Sequence, residues 1–393
     1  MRMSRKRIVL LGMMSKYPVA GVVWQTLHYL VGFERLGYEV YYVEAGGHQP
    51  SPLLPESGDG GRSESAAAFL ESLAERFGFG DRWAFHALHT DGRCYGLNHS
   101  QLLEIYRSAE LLVNLHGATT PLPEHSEGGR LIYLETDPVA VQIDLFHSRP
   151  ETIEYLAAHQ AFFTFAENYG RPDCRLPVSD RFPFRPTRQP VVLDFWQSYG
   201  NGPGPVFTTV GNWRQMSRKV EFEGETYHWS KHYEFLKFLD VPQRTQQSFE
   251  LALSRRNLGI RDSRRLAKHG WVVRDALDFS TDLDAYRDYI AGSRGEFTVA
   301  KDQNVRLRTG WFSDRSATYL ATGRPVVTQD TGCGSRIPTG EGLFTFSTGD
   351  EIEEAICSIN SDYERHSRAA FELAREYFGH DVVLGRLLSE VGL

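Results

Sequence analysis

The chain of 393 residues has only four cysteines, Cys94, Cys174, Cys333 and Cys357. They are scattered, with no CxxC pair and no metal-ligand spacing. Neither a disulfide framework nor a zinc ribbon is expected, and a reducing cytosol is the default compartment. No apolar run approaches the roughly 20 residues a membrane span requires. The start, Met1 to Arg7, is basic and leads into IVLLGMM, but that run breaks at SKYP without a small-residue cleavage site. A buried first strand is the better reading than a signal peptide. Positive charge is not in excess: 43 Lys and Arg face 50 Asp and Glu, a net of −7. That argues against a role in coating nucleic acid, though not against a local basic groove. No GxSxG stands at a strand–helix junction, so the hydrolase nucleophile elbow is absent. GDGGRS (58–63) and GNGPG (200–204) lack the strand–GxGxxG–helix context and read as loop glycines.

What is present is ordinary globular composition, 41% hydrophobic and 24% charged. The length suits two domains, each large enough for its own core. RIVLLGMM (7–14), a glycine-bearing loop, helical spacing over 22–38 and an apolar run at 38–47 make a β–loop–α–β opening. This predicts a parallel doubly wound sheet. Residues 48–65 read as a surface loop. Helices are predicted over 66–79 and 99–110, and buried strands over 110–117, 130–137 and 161–168. A boundary falls near 180–205, where RFPFRPTRQPVV and YGNGPGP are rich in proline and glycine. The pattern then restarts. Strands are predicted at 205–213, 271–275, 296–301, 324–330 and 342–346, with helices at 228–241, 261–270, 282–292, 313–322 and from 350 onward. The expectation is α/β with two Rossmann-like units facing across a cleft: residues 1–190, residues 205–378, and a tail 379–393 returning to the first unit.

The segment TGWFSDRSATYLATGRPVVTQDTGCG (309–334) resembles the donor-site signature of GT-B glycosyltransferases, glycosyl transferases group 1. It is most similar to the spore-maturation-type and glycogen-synthase-like members, whose helix ends in a small residue, x, Gly, x, Pro, Val, Val. Here these are Ala321 to Val327. FTTVGNWRQ (207–215) resembles the first strand of the second domain, whose glycine loop faces donor phosphates. Lys231 stands where the family has a phosphate-binding lysine. Two departures are plain. The EX7E glutamates of the group are replaced by Gly310 and Thr318, and Val22 stands at the place of the N-terminal histidine of natural-product enzymes.

The resemblance implies transfer of a sugar from a nucleotide-diphosphate donor, with no cofactor beyond that co-substrate and no metal. The donor would lie in the second unit and a small-molecule or glycan acceptor in the first. Leaving-diphosphate chemistry needs N–H groups and cations, which helix N-termini and basic side chains supply. Donor-side candidates are Gly211, Asn212, Trp213, Arg214, Lys231, Lys301, Arg306, Asp314, Arg315 and Ser316. Catalytic candidates are Asp137 and His116 at strand ends and His28 in the first helix. Glu167 and Asn168 could bind sugar hydroxyls, and Trp311 could stack on the donor. DLD (282–284) reads as a helix cap. The pairs in HALH (86–89) and HWSKH (228–232) lack a third metal ligand. Alternatives on the same architecture are a nucleotide-sugar epimerase or hydrolase, a non-catalytic sugar-nucleotide-binding protein, and a transferase acting on a polymer such as modified DNA.

Overall fold

The structure is a computed structural model describing residues 5–55, 61–197 and 202–393. Residues 58–60 of GDGGRS and 200–201 of GNGPG lie outside the described residues, as do the first residues of the basic start. The first sheet contains β1 (Arg7–Leu11), β2 (Glu39–Glu44), β3 (Trp83–His86), β4 (Cys94–Gly96), β5 (Leu111–Leu115), β6 (Arg130–Glu135), β7 (Ala161–Thr164) and β8 (Phe184–Pro186), in the order β4-β3-β2-β1-β5-β6-β7-β8. All pairs are parallel except β3 with β4. β1 and β5 are apolar runs buried on both faces, as central parallel strands must be.

The second sheet begins at β9 (Val206–Gly211). A small antiparallel hairpin follows, β10 (Val220–Phe222) with β11 (Glu225–Tyr227). The sheet then takes β12 (Ser248–Leu253), β13 (Val272–Asp275), β14 (Gly295–Thr298), β15 (Val326–Gln329) and β16 (Leu343–Phe346), in the all-parallel order β13-β12-β9-β14-β15-β16. This is the doubly wound order with its switch point between β9 and β14. In the first sheet the switch lies between β1 and β5. The fold is α/β with two Rossmann-like sheets.

One apolar cluster runs from Ile8, Trp24 and Leu30 through Tyr286, Phe312 and Tyr319 to Phe378 and Leu387, so the two halves share a core on this side. The last helix, His380–Glu390, lies on the first helix, Ala20–Arg35. The approach is close: a Cβ at Gly32 would stand 2.6 Å from the Leu384 side chain. Arg185 donates to the Glu390 carbonyl at 2.6 Å, and the His380 N–H to the Val191 carbonyl at 3.0 Å. Among the described residues no helix is long and apolar enough to cross a membrane.

Several elements depart from the sequence pattern. The single helix expected over 228–241 is broken into His232–Phe235, a tight turn Leu236–Phe238, and Val241–Arg244. Its first residues are tied to other parts of the chain. Asp302 accepts the His228 N–H at 2.8 Å, and the Ser230 hydroxyl bonds the Trp213 carbonyl and the Gln215 N–H. Strands β3, β4, β8 and the hairpin are too short to show a period. β8 ends in Pro186, which is tolerated because β8 is an edge. Asp282 of DLD caps its helix, accepting the Ala285 N–H at 2.7 Å.

Candidate functional site

The carboxyl ends of the two sheets meet around Thr136 and Asp137, just past β6. Lys301, just past β14, forms a salt bridge to Asp137 at 2.7 Å. The Trp229 indole N–H donates to the other Asp137 oxygen at 2.5 Å, and Arg218 approaches it at 3.6 Å. The Trp311 indole N–H donates to the Thr136 carbonyl at 3.1 Å. Asn168 closes the same seam, donating to the Gly332 carbonyl at 3.0 Å and accepting from the Ser335 hydroxyl at 3.0 Å.

His116 stands at the first sheet's switch point in the left-handed region, φ 62°. That conformation costs a non-glycine residue on the order of 1 kcal/mol, and such strain gathers where a side chain must be aimed. Its Nδ1 lies 2.8 Å from the Thr136 hydroxyl, while Nε2 is buried without a partner among the described residues. Burial pushes its pKa down to about 4, so the ring is neutral.

Cations gather on the opposite side. Lys301 is buried, with its ammonium 3.9 Å from the Trp229 ring and 5.9 Å from that of Trp311. Lys231 is half-buried, and its one hydrogen bond among the described residues is a long 3.4 Å contact to the Thr298 hydroxyl. Burial, then the neighbouring Arg315, holds its pKa well below the usual lysine value. A poorly paired, desolvated ammonium at a switch point is a ready seat for an anion.

The other candidates are placed unevenly. Arg315 spends its guanidinium on protein: Glu296 at 2.5 Å, the Val210 carbonyl at 2.5 Å and Thr298 at 3.1 Å. It braces the site rather than presenting free donors. Asp314 and Ser316 open the helix Asp314–Ala321. Burial raises the Asp314 pKa, and the Ser316 hydroxyl is buried without a partner among the described residues. Gly211 ends β9 with open space where a Cβ would stand, and the Asn212 side chain accepts from Asn257 at 3.1 Å. Arg214 pairs with Asp262 at 2.8 Å yet stays partly exposed. Along with Trp229 and Asn257 it borders a groove of about 530 Å³.

Three candidates stand apart. The Trp213 ring is fully buried, stacked 5.7 Å from Phe235, with its N–H given to Asp262 at 2.7 Å; it is core and cannot stack on a ligand. Arg306 lies 4.1 Å over the Tyr227 ring and bonds the Thr226 carbonyl and Glu225, fastening the hairpin. His28 is fully buried, with Nδ1 3.0 Å from the Val192 nitrogen and Nε2 3.0 Å from the Trp196 indole nitrogen, so one of the two donors finds an acceptor on the ring. Its pKa is pushed down to about 3 by burial.

Sequence reasoning passed over Glu135, Glu296 and Trp229. Glu135 ends β6 and accepts from Thr164 at 2.7 Å and Gln142 at 3.1 Å, with its other oxygen unpartnered. Burial raises its pKa to about 7. An acid inside an apolar strand was the available signal. Glu167, at a neighbouring strand end, is likewise raised to about 7 by burial, against the pull of its partner Arg188. Gly310 explains a missing family glutamate. It has φ +75°, and a Cβ there would stand 2.8 Å from Asn168. Thr318, at the other position, gives its hydroxyl to the Arg315 carbonyl at 2.6 Å.

No family model matches the sequence, and no curated protein sequence matches it. Solved structures do. One is an alpha-glucosyltransferase in complex with UDP-glucose and DNA containing an abasic site, 11% identical over 100% of both chains, TM-score 0.58. Another is a sucrose-phosphate synthase from Thermosynechococcus elongatus, 11% identical over 98% of this chain and 99% of that one, TM-score 0.54. A third is Anabaena HepE in complex with UDP and glucose, 12% identical over 98% and 99%, TM-score 0.55. At such identity the likeness is one of fold: this chain has the two-sheet GT-B architecture.

Proposed function

We propose that the protein is a glycosyltransferase of the group-1 type that moves a sugar from a nucleotide-diphosphate donor to an acceptor. The observation that carries this reading is Lys231, a desolvated ammonium whose hydrogen bonding among the described residues is one long contact to Thr298, 5.7 Å from the ring of Trp311, which itself bonds Thr136 at the seam. The resemblance at 309–334 and the GT-B fold support it, though a fold alone does not name a reaction.

In this reading the diphosphate lies against Lys231, with the Gly211–Arg214 loop and the start of the helix Asp314–Ala321 offering N–H groups. Arg315 and Glu296 hold that helix start to β14. Lys301 exchanges its bond to Asp137 for the diphosphate as the donor enters. The freed Asp137 carboxylate then faces the positive charge that develops on the sugar. Neutral His116, through its unpartnered Nε2, accepts a hydrogen bond from a sugar hydroxyl. Fixed protein charge supplies what a metal ion would otherwise supply, so binding is independent of magnesium. The first half of the chain holds the acceptor.

The test is calorimetric titration with UDP, GDP, dTDP, ADP and CMP, with and without magnesium. UDP comes first because the similar structures carry it. The expected result is metal-independent binding of one diphosphate, weakened by Lys231→Ala by about 1–3 kcal/mol, the range for a charge-assisted hydrogen bond. Binding of none of them overturns the reading. Tight binding with acceptor-free turnover of the sugar nucleotide favours the hydrolase or epimerase instead.

A further inference from the structure

The chain is acidic overall, but one face is not. Residues 212–219 and 255–269 contain nine Lys and Arg and a single acid, Asp262. That acid is buried under Trp213 and Arg214. The helix Ile260–Lys268 carries Arg261, Arg264, Arg265 and Lys268 at i, i+3, i+4 and i+7, all exposed, while Asp262 and Leu266 anchor its other side. The stripe is about 10 Å long at 1.5 Å per residue. None of these four, nor Arg256, has an acidic partner within ion-pair distance among the described residues. Like charges one turn apart destabilise a helix by a few tenths of a kcal/mol per pair, and Arg261 sits at the end where the helix dipole is already positive. The arrangement lacks its counter-charge.

The two most exposed large apolar side chains in the described residues lie on the same face. Ile260, at the start of the cationic helix, is 72% exposed, and Met216 is 66% exposed. Met216 and Arg256 border the groove that also reaches Trp229, and Trp229 bonds Asp137 at the seam between the sheets.

We propose that this face is a docking surface for an anionic lipid bilayer. The cations seek phosphate, a demand that nucleic acid would also meet. The two apolar tips decide between them: a phosphodiester backbone offers them nothing, while the headgroup boundary takes up apolar side chains ringed by arginine. Docking in this way sets the groove and the adjoining seam against the lipid headgroups. The inference rests on the charge and apolar pattern and stands apart from the donor-site reading.

The test is sedimentation of the full chain with phosphatidylcholine vesicles and with vesicles containing phosphatidylglycerol, at low and high salt, alongside titration with a DNA duplex. The expected result is binding to the anionic vesicles alone, reduced by salt. Arg261→Gln with Arg264→Gln and Arg265→Gln lowers the partition coefficient on the order of 100-fold, since each cation at such a surface contributes a factor of about five. Ile260→Ser with Met216→Ser lowers it several-fold at unchanged charge. All these sites are exposed, so the thermal midpoint reports that each variant folds. Absence of vesicle binding overturns the proposal. So does duplex binding that exceeds vesicle binding and ignores the Ile260 and Met216 changes; the face then serves nucleic acid. Unchanged UDP affinity in the variants separates either outcome from a failure of the donor site.

Discussion

Asp137 and Lys301 are 164 residues apart in sequence and 2.7 Å apart in space, and their salt bridge joins the end of β6 to the end of β14. Both side chains are mostly out of water, at 23% and 11% exposure. Removing one partner from such a pair leaves a charge with neither solvent nor counter-ion. Lys301→Met should therefore destabilise the fold by about 3 kcal/mol, toward the low end for buried pairs because Trp229 and Arg218 still serve Asp137. Lys301→Met with Asp137→Leu should recover most of the loss. Urea unfolding of the two variants checks this, and equal losses in both would show that the unpaired Asp137 carboxylate is not the source of the loss.

Lys231 should behave in the opposite way. Burial and the neighbouring Arg315 hold its pKa below that of the unfolded chain. Between its folded value and the ordinary 10.5 the unfolded state binds more protons, so this group's contribution to stability rises with pH across that window and is unfavourable below it. Lys231→Met should raise the thermal midpoint while weakening diphosphate binding by about 1–3 kcal/mol. A lowered midpoint would mean that the lysine serves structure.

His116→Ala should lower turnover on the order of 100-fold, the smaller end for loss of a positioned catalytic group. UDP affinity should stay within about twofold, since His116 follows β5 of the first sheet while the donor-side cations belong to the second. Steady-state kinetics beside calorimetry separates the two. Weakened UDP binding with normal turnover would move His116 out of this role.

Restoring the family glutamate should fail. Gly310→Glu places a side chain at φ +75° with its Cβ 2.8 Å from Asn168. Strain in that region costs about 1–3 kcal/mol before the clash is added. Chemical denaturation should show the loss, and a neutral result would mean that the 309–310 turn relaxes.

Acid should unfold the protein early. His116, His125 and His159 are pushed down to about 4 and His28 to about 3, each chiefly by burial. As pH falls through the unfolded value of about 6.5, the unfolded chain takes up protons that the native rings refuse, so stability drops toward pH 4. Glu135 and Glu167 oppose this. Their carboxyls stay protonated up to about 7 in the native state, so their contribution falls as pH rises from about 4.5 to 7. Four histidines outweigh two carboxyls, and the net trend is loss on acidification. His159→Gln should shallow the slope of unfolding free energy against pH.

Much of the fold was legible in the chain. Apolar runs closed by glycine, alternating with amphipathic stretches, are local signals. They place β1, β2, β5, β6, β7 and β9 because a strand buried on both faces must be continuously apolar. The helix at 228–241 was misread because its apolar stripe is real, but its first residues are held by distant parts of the chain, His228 by Asp302 and Ser230 by Trp213. The hairpin Val220–Tyr227 and the short strands β3, β4 and β8 carry too few residues for any period to appear.

By itself the sequence determined the α/β plan of two Rossmann-like units, because it follows from patterns only a few residues long; the strand Ser248–Leu253 was missed. Tertiary structure alone decided which of those residues share a site. Trp213 and Lys231 looked equivalent as donor-loop residues, yet one ring is sealed into the core while the other ammonium is left nearly unpaired. Asp137 meets Lys301 and Trp229, and Gly310 meets Asn168, across chain separations that no local pattern encodes. Desolvation and partner supply depend on every element that packs against a group, and they decide whether a charge braces the fold or waits for a ligand.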